Sequence, residues 1–238
     1  MANPRGLLAM MSLGPRRWYA AIRFVSLMWW ARKRVAVTTR GDLERLGSAY
    51  GGWIVPTGLL NENSICWCAG VGEDATFDFC LIQRFGCDVF SLDPTPRARE
   101  YIASLGQRDR RHHFLPVGLW TGDVMLRFYA PEDPRNVSHS IVNLQKTTRY
   151  IEAPCRSLPS LLSEFAQSHA DLLKMDIEGA EHDVINNLLE SKCLPTIMLV
   201  EFDQPIPWRR IKSTTRLLLH AGYRVAGIDG WNYTFVRS

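Results

Sequence analysis

Residues 64–74 read Ser-Ile-Cys-Trp-Cys-Ala-Gly-Val-Gly-Glu-Asp, an apolar run of strand length that breaks at Gly70 and passes directly to acids. A short apolar run ended by glycine reads as a buried strand, and an amphipathic segment over about residues 74–85 reads as the helix that follows it. Outward from there the pattern repeats. Cys87 to Leu92 is a second strand ending at Asp93-Pro94, followed by a helix near 97–105, a strand at about 112–117 and an extended piece at 124–129. A helix over 158–167, a strand over 171–175, a helix over 181–189, a strand over 196–202 and a helix over 208–220 continue the alternation, with Gly222 marking the last helix end. This order predicts an α/β fold with a mainly parallel sheet and helices on both faces. The final strands, 223–228 and 231–236, flank Asp229-Gly230, a tight-turn dipeptide, so they are expected to form a C-terminal antiparallel hairpin.

The chain of 238 residues is 46% hydrophobic and 22% charged, which suits a soluble globular protein and excludes collagen-like, coiled-coil and multi-span membrane classes. Its net charge of +4 is uneven. The first forty residues carry Arg5, Arg16, Arg17, Arg23, Arg32, Lys33, Arg34 and Arg40 and no acid; setting those eight aside leaves 20 basic against 24 acidic residues, a net −4. The expected division is therefore a basic, aromatic helical arm at 1–40 and a mildly acidic domain at 41–238, whose charge argues against nucleic acid as a partner. Residues 16–34 are too short and too charged to span a bilayer. They read as a lid or docking helix, as a helix in peripheral contact with a membrane, or as a targeting peptide. The six cysteines lie in apolar runs without a Cys-x-x-Cys pair, which fits small buried hydrophobes in a reducing, cytoplasmic setting.

In an open α/β sheet, ligands bind beyond the carboxyl ends of the strands. Gly70 and Gly72 let a ligand approach the backbone, and Glu73 and Asp74 follow them into a helix N-terminus. Asp93 stands about 20 residues on, where its carboxylate suits the two hydroxyls of an adenosine ribose; as an alternative it caps the helix after Pro94. The segment Leu172-Leu173-Lys174-Met175-Asp176-Ile177-Glu178-Gly179-Ala180-Glu181 places carboxylates at the mouth of a buried strand, a costly arrangement unless they bind something. Asp176 is read as general base, and Asp176 with Glu178 as ligands for a divalent metal; the plain reading is that Glu178 and Glu181 favour the positive end of the next helix. His139, in the polar run Ser138-His139-Ser140, is the second catalytic candidate, and His182 a lesser one.

The run from Asp171 to Glu181 resembles the signature of the FkbM-type methyltransferases. The resemblance extends over residues 48–203 through Gly51-Gly52-Trp53, Gly70-Val71-Gly72-Glu73-Asp74, Phe90-Ser91-Leu92-Asp93-Pro94-Thr95-Pro96, Val137-Ser138-His139-Ser140 and Ala153-Pro154-Cys155-Arg156-Ser157-Leu158. It implies a Rossmann-like class I methyltransferase fold, S-adenosyl-L-methionine as cofactor, and O-methylation of a hydroxyl on a sugar, glycolipid or polyketide-like small molecule. Cys68 and Cys155 depart from the pattern, standing where an acid and a threonine are usual. Two other functions fit parts of the sequence. The glycine pattern with an acid about 20 residues on also suits a nicotinamide-dependent oxidoreductase, against which the closing hairpin counts. A non-catalytic module that binds the methyl donor and docks on a membrane would explain Cys68 and the basic arm.

Overall fold

The computed structural model describes residues 40–106, 109–130, 140–141, 147–202 and 208–237. The arm at 16–34 and His139 fall outside them, as does the proposed boundary region before residue 40. The described chain opens with a hairpin of β1 (Leu43–Leu46) and β2 (Trp53–Pro56). Then come β3 (Ile65–Ala69), α1 (Thr76–Phe85), β4 (Asp88–Leu92), α2 (Pro96–Ser104) and β5 (His112–Leu115). Three further strands, β6 (Gly118–Leu119), β7 (Val124–Tyr129) and β8 (Tyr150–Arg156), precede α3 (Leu158–Glu164) and β9 (Leu172–Met175). The chain ends with α4 (Glu181–Ser191), β10 (Ile197–Glu201), α5 (Trp208–His220), β11 (Tyr223–Asp229) and β12 (Asn232–Arg237).

Seven strands form the main sheet in the order β11-β12-β10-β9-β3-β4-β5. Pairing is parallel from β10 to β5, and β12 runs antiparallel to both β10 and β11. Strand order reverses between β3 and β9, so the crevice of such a sheet opens above their carboxyl ends. The expected α/β class and closing hairpin are present. The turn lies one residue later than the dipeptide suggests, because Asp229 pairs with Asn232 and leaves Gly230 and Trp231 as the two-residue loop.

Local chemistry explains the elements. Thr95 caps α2 by accepting from the Ala98 N–H, with Pro96 in the first turn, and Ser157 caps α3 by accepting from Ser160. Gly86 ends α1 in the left-handed conformation. Side-chain alternation along β3 divides the core. Cys66 and Cys68 face α1 and the hairpin, packing with Phe77, Leu81, Trp53 and Val55, and all six cysteines are free thiols. Trp67 takes the other face, stacked on Phe90 at 4.5 Å, which stacks in turn on His113 at 4.5 Å. Phe165, just past α3, meets Trp67 and Phe90 edge-on, and Gln167 accepts the Trp67 indole N–H at 3.0 Å.

Strands β6, β8 and β7 form a separate three-stranded sheet between β5 and β9. It has its own small core of Phe128, Ala153 and Cys155, with Trp120, Leu126, Ile141 and Ile151 packed on it. Among the described residues no helix is long and apolar enough to cross a membrane.

Candidate active site

The parallel strands deliver their carboxyl ends to one place. A cavity of about 380 Å³ is lined by Gly70, Gly72, Glu73 and Asp74 after β3, by Asp93 after β4, and by Asp176 and Glu178 after β9. The predicted site residues that are described therefore meet around a single space. Tyr50 and Trp53 from the hairpin, Glu201 from β10 and Asn232 from β12 line it as well, and Gly118, Leu119, Phe128 and Ile141 bring the three-stranded sheet to it.

The glycine loop is held by contacts that leave no space for a side chain. Gly70 has φ +87°, and a β-carbon there would lie 1.8 Å from the Asp176 carbonyl oxygen. The loop after β3 thus rests directly on the backbone after β9. Asp93 Oδ2 accepts from the N–H groups of Val71 at 3.0 Å and Gly72 at 2.9 Å. Its Oδ1 accepts from the Thr95 N–H at 2.8 Å and the Thr95 hydroxyl at 2.6 Å. Four donors fill the lone pairs of this buried carboxylate, so it closes the glycine loop and holds Thr95, the residue that caps α2. The cap expected of Asp93 itself is thus supplied by Thr95, two residues on.

Glu73 and Asp74 divide differently. Glu73 is exposed and pairs with Arg97 at 3.1 Å, a contact of little energetic weight. Asp74 accepts from the Ser48 hydroxyl at 2.5 Å and from the Thr76 N–H at 2.9 Å and hydroxyl at 2.5 Å. Burial pushes its pKa up, but these hydrogen bonds and one from the Gly51 backbone outweigh it and hold the carboxyl below its ordinary value. A β-carbon at Gly51 would lie 2.7 Å from Asp74 Oδ2 and one at Gly52 2.4 Å from the Ser48 carbonyl oxygen, which together account for the glycine pair before Trp53. Asp74 therefore fastens the hairpin loop to the cavity wall.

After β9 the chain turns sharply. Glu178 has φ +56°, the left-handed region that costs a non-glycine residue roughly 1–3 kcal/mol. Its carbonyl accepts from the Ser140 hydroxyl at 2.5 Å, so the strained turn is tied to the segment beside the three-stranded sheet. Glu181 is fully buried and its Oε1 accepts from the N–H groups of Ile177 and Gly179, both at 3.1 Å. Among the described residues no group of three or more His, Cys, Asp or Glu is placed to hold a metal ion, so the divalent metal expected at Asp176 and Glu178 has no third such ligand beside them there. His182 does not line the cavity. It is buried, stacked on Phe202 at 5.2 Å and bonded through Nδ1 to the Thr214 hydroxyl at 2.6 Å, with burial pressing its pKa down to about 4.

Sequence reasoning missed two ionisable groups. Lys174 lies within β9, 6% exposed, with Nζ 3.5 Å from Asp176 Oδ2 and a hydrogen bond to the Gly70 carbonyl. Glu201 ends β10 next to Asp176, one step beyond the paired Val200 and Met175. Burial, then the Asp176 charge, push Glu201 up to about 8 against the opposing pull of Lys174. A carboxyl whose folded pKa is raised holds its proton longer than in the unfolded chain. Its stabilising contribution is full below about pH 4.5 and is lost as pH rises through about 8. Glu201→Gln should therefore leave thermal stability unchanged near pH 4 and raise it at pH 8.5, by about 2–4 °C for each kcal/mol recovered. Melting curves at the two pH values check this; an equal effect at both would mean that the charge at Glu201 is not what matters.

The model of the FkbM methyltransferase domain matches residues 68–225, from the start of the glycine loop to the closing hairpin. The chain belongs to the FkbM methyltransferase domain family. The chain is similar to "Probable methyltransferase-like protein 24" of Rattus norvegicus, 31% identical over 139 residues, or 58% of this chain and 32% of that protein. The Homo sapiens protein of the same name is 26% identical over 171 residues, covering 72% of this chain and 37% of that one. The matches thus span about a third of the length of these relatives. Among solved structures, the FkbM methyltransferase of Methylobacillus flagellatus aligns with a TM-score of 0.46 at 14% identity, over 76% of this chain and 45% of that one. Precorrin-6y C5,15-methyltransferase of Geobacter metallireducens aligns at 0.41 and 12% identity, over 76% and 85%. In this FkbM domain the three-stranded sheet and the β1–β2 hairpin are the parts that stand outside the seven-stranded sheet and still reach the cavity.

Proposed function

We propose that the cavity binds S-adenosyl-L-methionine and that the domain transfers its methyl group to a hydroxyl of a sugar, glycolipid or polyketide-like small molecule. The observation that carries this reading is the meeting of Gly70 and Gly72, Asp93 and Asp176 around one space in a chain of this family. Gly70 and Gly72 give the donor close access to backbone, Glu73 and Asp74 border its amino-acid end, and Asp93 takes the ribose hydroxyls by exchanging its Thr95 contacts. When bound, the donor would supply a sulfonium methyl as the electrophile, for in-line transfer to the acceptor oxygen with S-adenosylhomocysteine as the leaving thioether. Alignment of that oxygen is worth up to roughly 7–11 kcal/mol, and the walls formed by Trp53, Phe128 and the strand tips would provide it. Asp176 removes the hydroxyl proton; His139 is the alternative base.

Calorimetric titration with S-adenosylmethionine and S-adenosylhomocysteine tests the donor. Saturable binding of both is expected, and absence of heat together with no rise in melting temperature would refute the donor site. Labelled methyl donor offered with glycolipid, free-sugar and polyketide fractions then identifies the acceptor, with a second series lacking residues 1–40 to show whether the basic arm presents a membrane-borne acceptor.

A further inference from the structure

Strand β9 is buried at all four positions, yet its third residue is a lysine. In register, Lys174 lies between Cys68 of β3 and Leu199 of β10, both fully enclosed. A buried ammonium forfeits several kcal/mol of hydration, and apolar residues of similar volume often serve stability as well or better. Stability therefore does not explain a lysine here.

Its contacts do. The ammonium donates to the carbonyl of Gly70, the residue whose α-carbon rests on the Asp176 carbonyl, and lies 3.5 Å from the Asp176 carboxylate. The Trp53 ring, another wall of the cavity, is 5.7 Å from it. The ionisable groups that face it are Asp78 from α1, Cys68 from β3, Asp176 beyond β9 and Glu201 from β10. Burial pulls its pKa down, but the charges of Asp176 and Asp78 outweigh that and keep the ammonium protonated. One side chain thus joins the loop on the donor side of the cavity to the carboxylate on the acceptor side.

We propose that Lys174 is a positioning residue for methyl transfer, fixing the Gly70 loop and the Asp176 carboxylate against each other through a single buried ammonium. The proposal rests on the donor site described above. It gives Lys174 no contact with the reacting atoms: it acts by aiming the Asp176 carboxylate and holding the Gly70 loop against it.

The test uses the full chain, with S-adenosylmethionine as the probe, titrated calorimetrically at a single pH of about 6, below the range in which Glu201 gains charge. In Lys174→Met, affinity should fall at least about ten-fold, because the Gly70 loop and the Asp176 carboxylate lose the ammonium that holds them together. Lys174→Arg, which retains the charge, should recover most of that affinity, a rescue that a merely space-filling role would not give. Lys174→Gln keeps a donor for the Gly70 carbonyl without charge and should behave as Lys174→Met does, which preserves the test if the methionine variant does not fold. Undiminished binding in a folded Lys174→Met or Lys174→Gln protein would overturn the positioning role. Failure of the unaltered protein to bind the donor would instead overturn the donor site itself.

Discussion

Replacing Gly70 by alanine is expected to be the most damaging single-methyl change in the domain, eliminating donor binding and leaving little or no cooperative unfolding transition. The new β-carbon would sit 1.8 Å from the Asp176 carbonyl oxygen, with φ at +87°. The obstacle is backbone of a central strand end, not the tip of a flexible side chain, so relief requires β3 and β9 to separate where Asp176 N–H donates to the Ala69 carbonyl at 3.1 Å. Strain of this kind belongs with the rare substitutions that cost more than about 4–5 kcal/mol. Two controls isolate the cause. Gly222 also has positive φ, +95°, but a β-carbon there meets nothing within 4 Å, so Gly222→Ala should cost only about 1–3 kcal/mol. Gly122 has open space and no positive φ, and Gly122→Ala should be close to neutral. Thermal denaturation of the three variants gives the ranking; a Gly70→Ala protein as stable as Gly222→Ala would show that the glycine loop does not press on β9.

Asp176→Asn should produce the second large effect, on chemistry and not on folding. The residue lines the cavity, its side chain is 34% exposed, and the amide is nearly isosteric. Loss of a general base slows transfer by about 10²–10⁴-fold. Donor affinity should fall far less, by about ten-fold, because the amide removes one negative charge beside a cation. The measurement is single-turnover transfer from labelled donor in the acceptor fraction that supports it, alongside calorimetric donor affinity and a melting curve. Transfer at the unaltered rate would remove Asp176 as base and direct attention to His139.

The parts of the fold that depend on local pattern were legible. Short apolar runs that end in Gly70, Asp93 and Asp176 read as parallel strands whose carboxyl ends share one edge, and the amphipathic segments between them read as the helices that cover the sheet. Parts that depend on distant partners were not. Strand β6 is two residues long and exists only because β8 pairs with it, so nothing in residues 116–120 marks it. The hairpin turn shifted by one residue because β12 also pairs with β10, and that second partner fixes its register. At the site, three-dimensional loop curvature makes Asp93 a hub for four donors, which spacing along the chain does not reveal. Lys174 and Glu201 did leave a signal. A lysine inside Leu-Leu-Lys-Met and a glutamate ending Ile-Met-Leu-Val-Glu are charges in runs that otherwise read as interior, and parallel pairing of β9 with β10 places Glu201 beside Asp176.

The three-stranded sheet leaves the main fold after Leu115 and rejoins it at Ser157, and the residues it buries are largely its own. Under the proposed function, exchange of this segment between two family members is expected to change the choice of acceptor while the proposed donor pocket at the tips of β3, β4 and β9 stays as it was. Diversification of substrate range in such a scaffold would then need no change to the machinery that handles the methyl group.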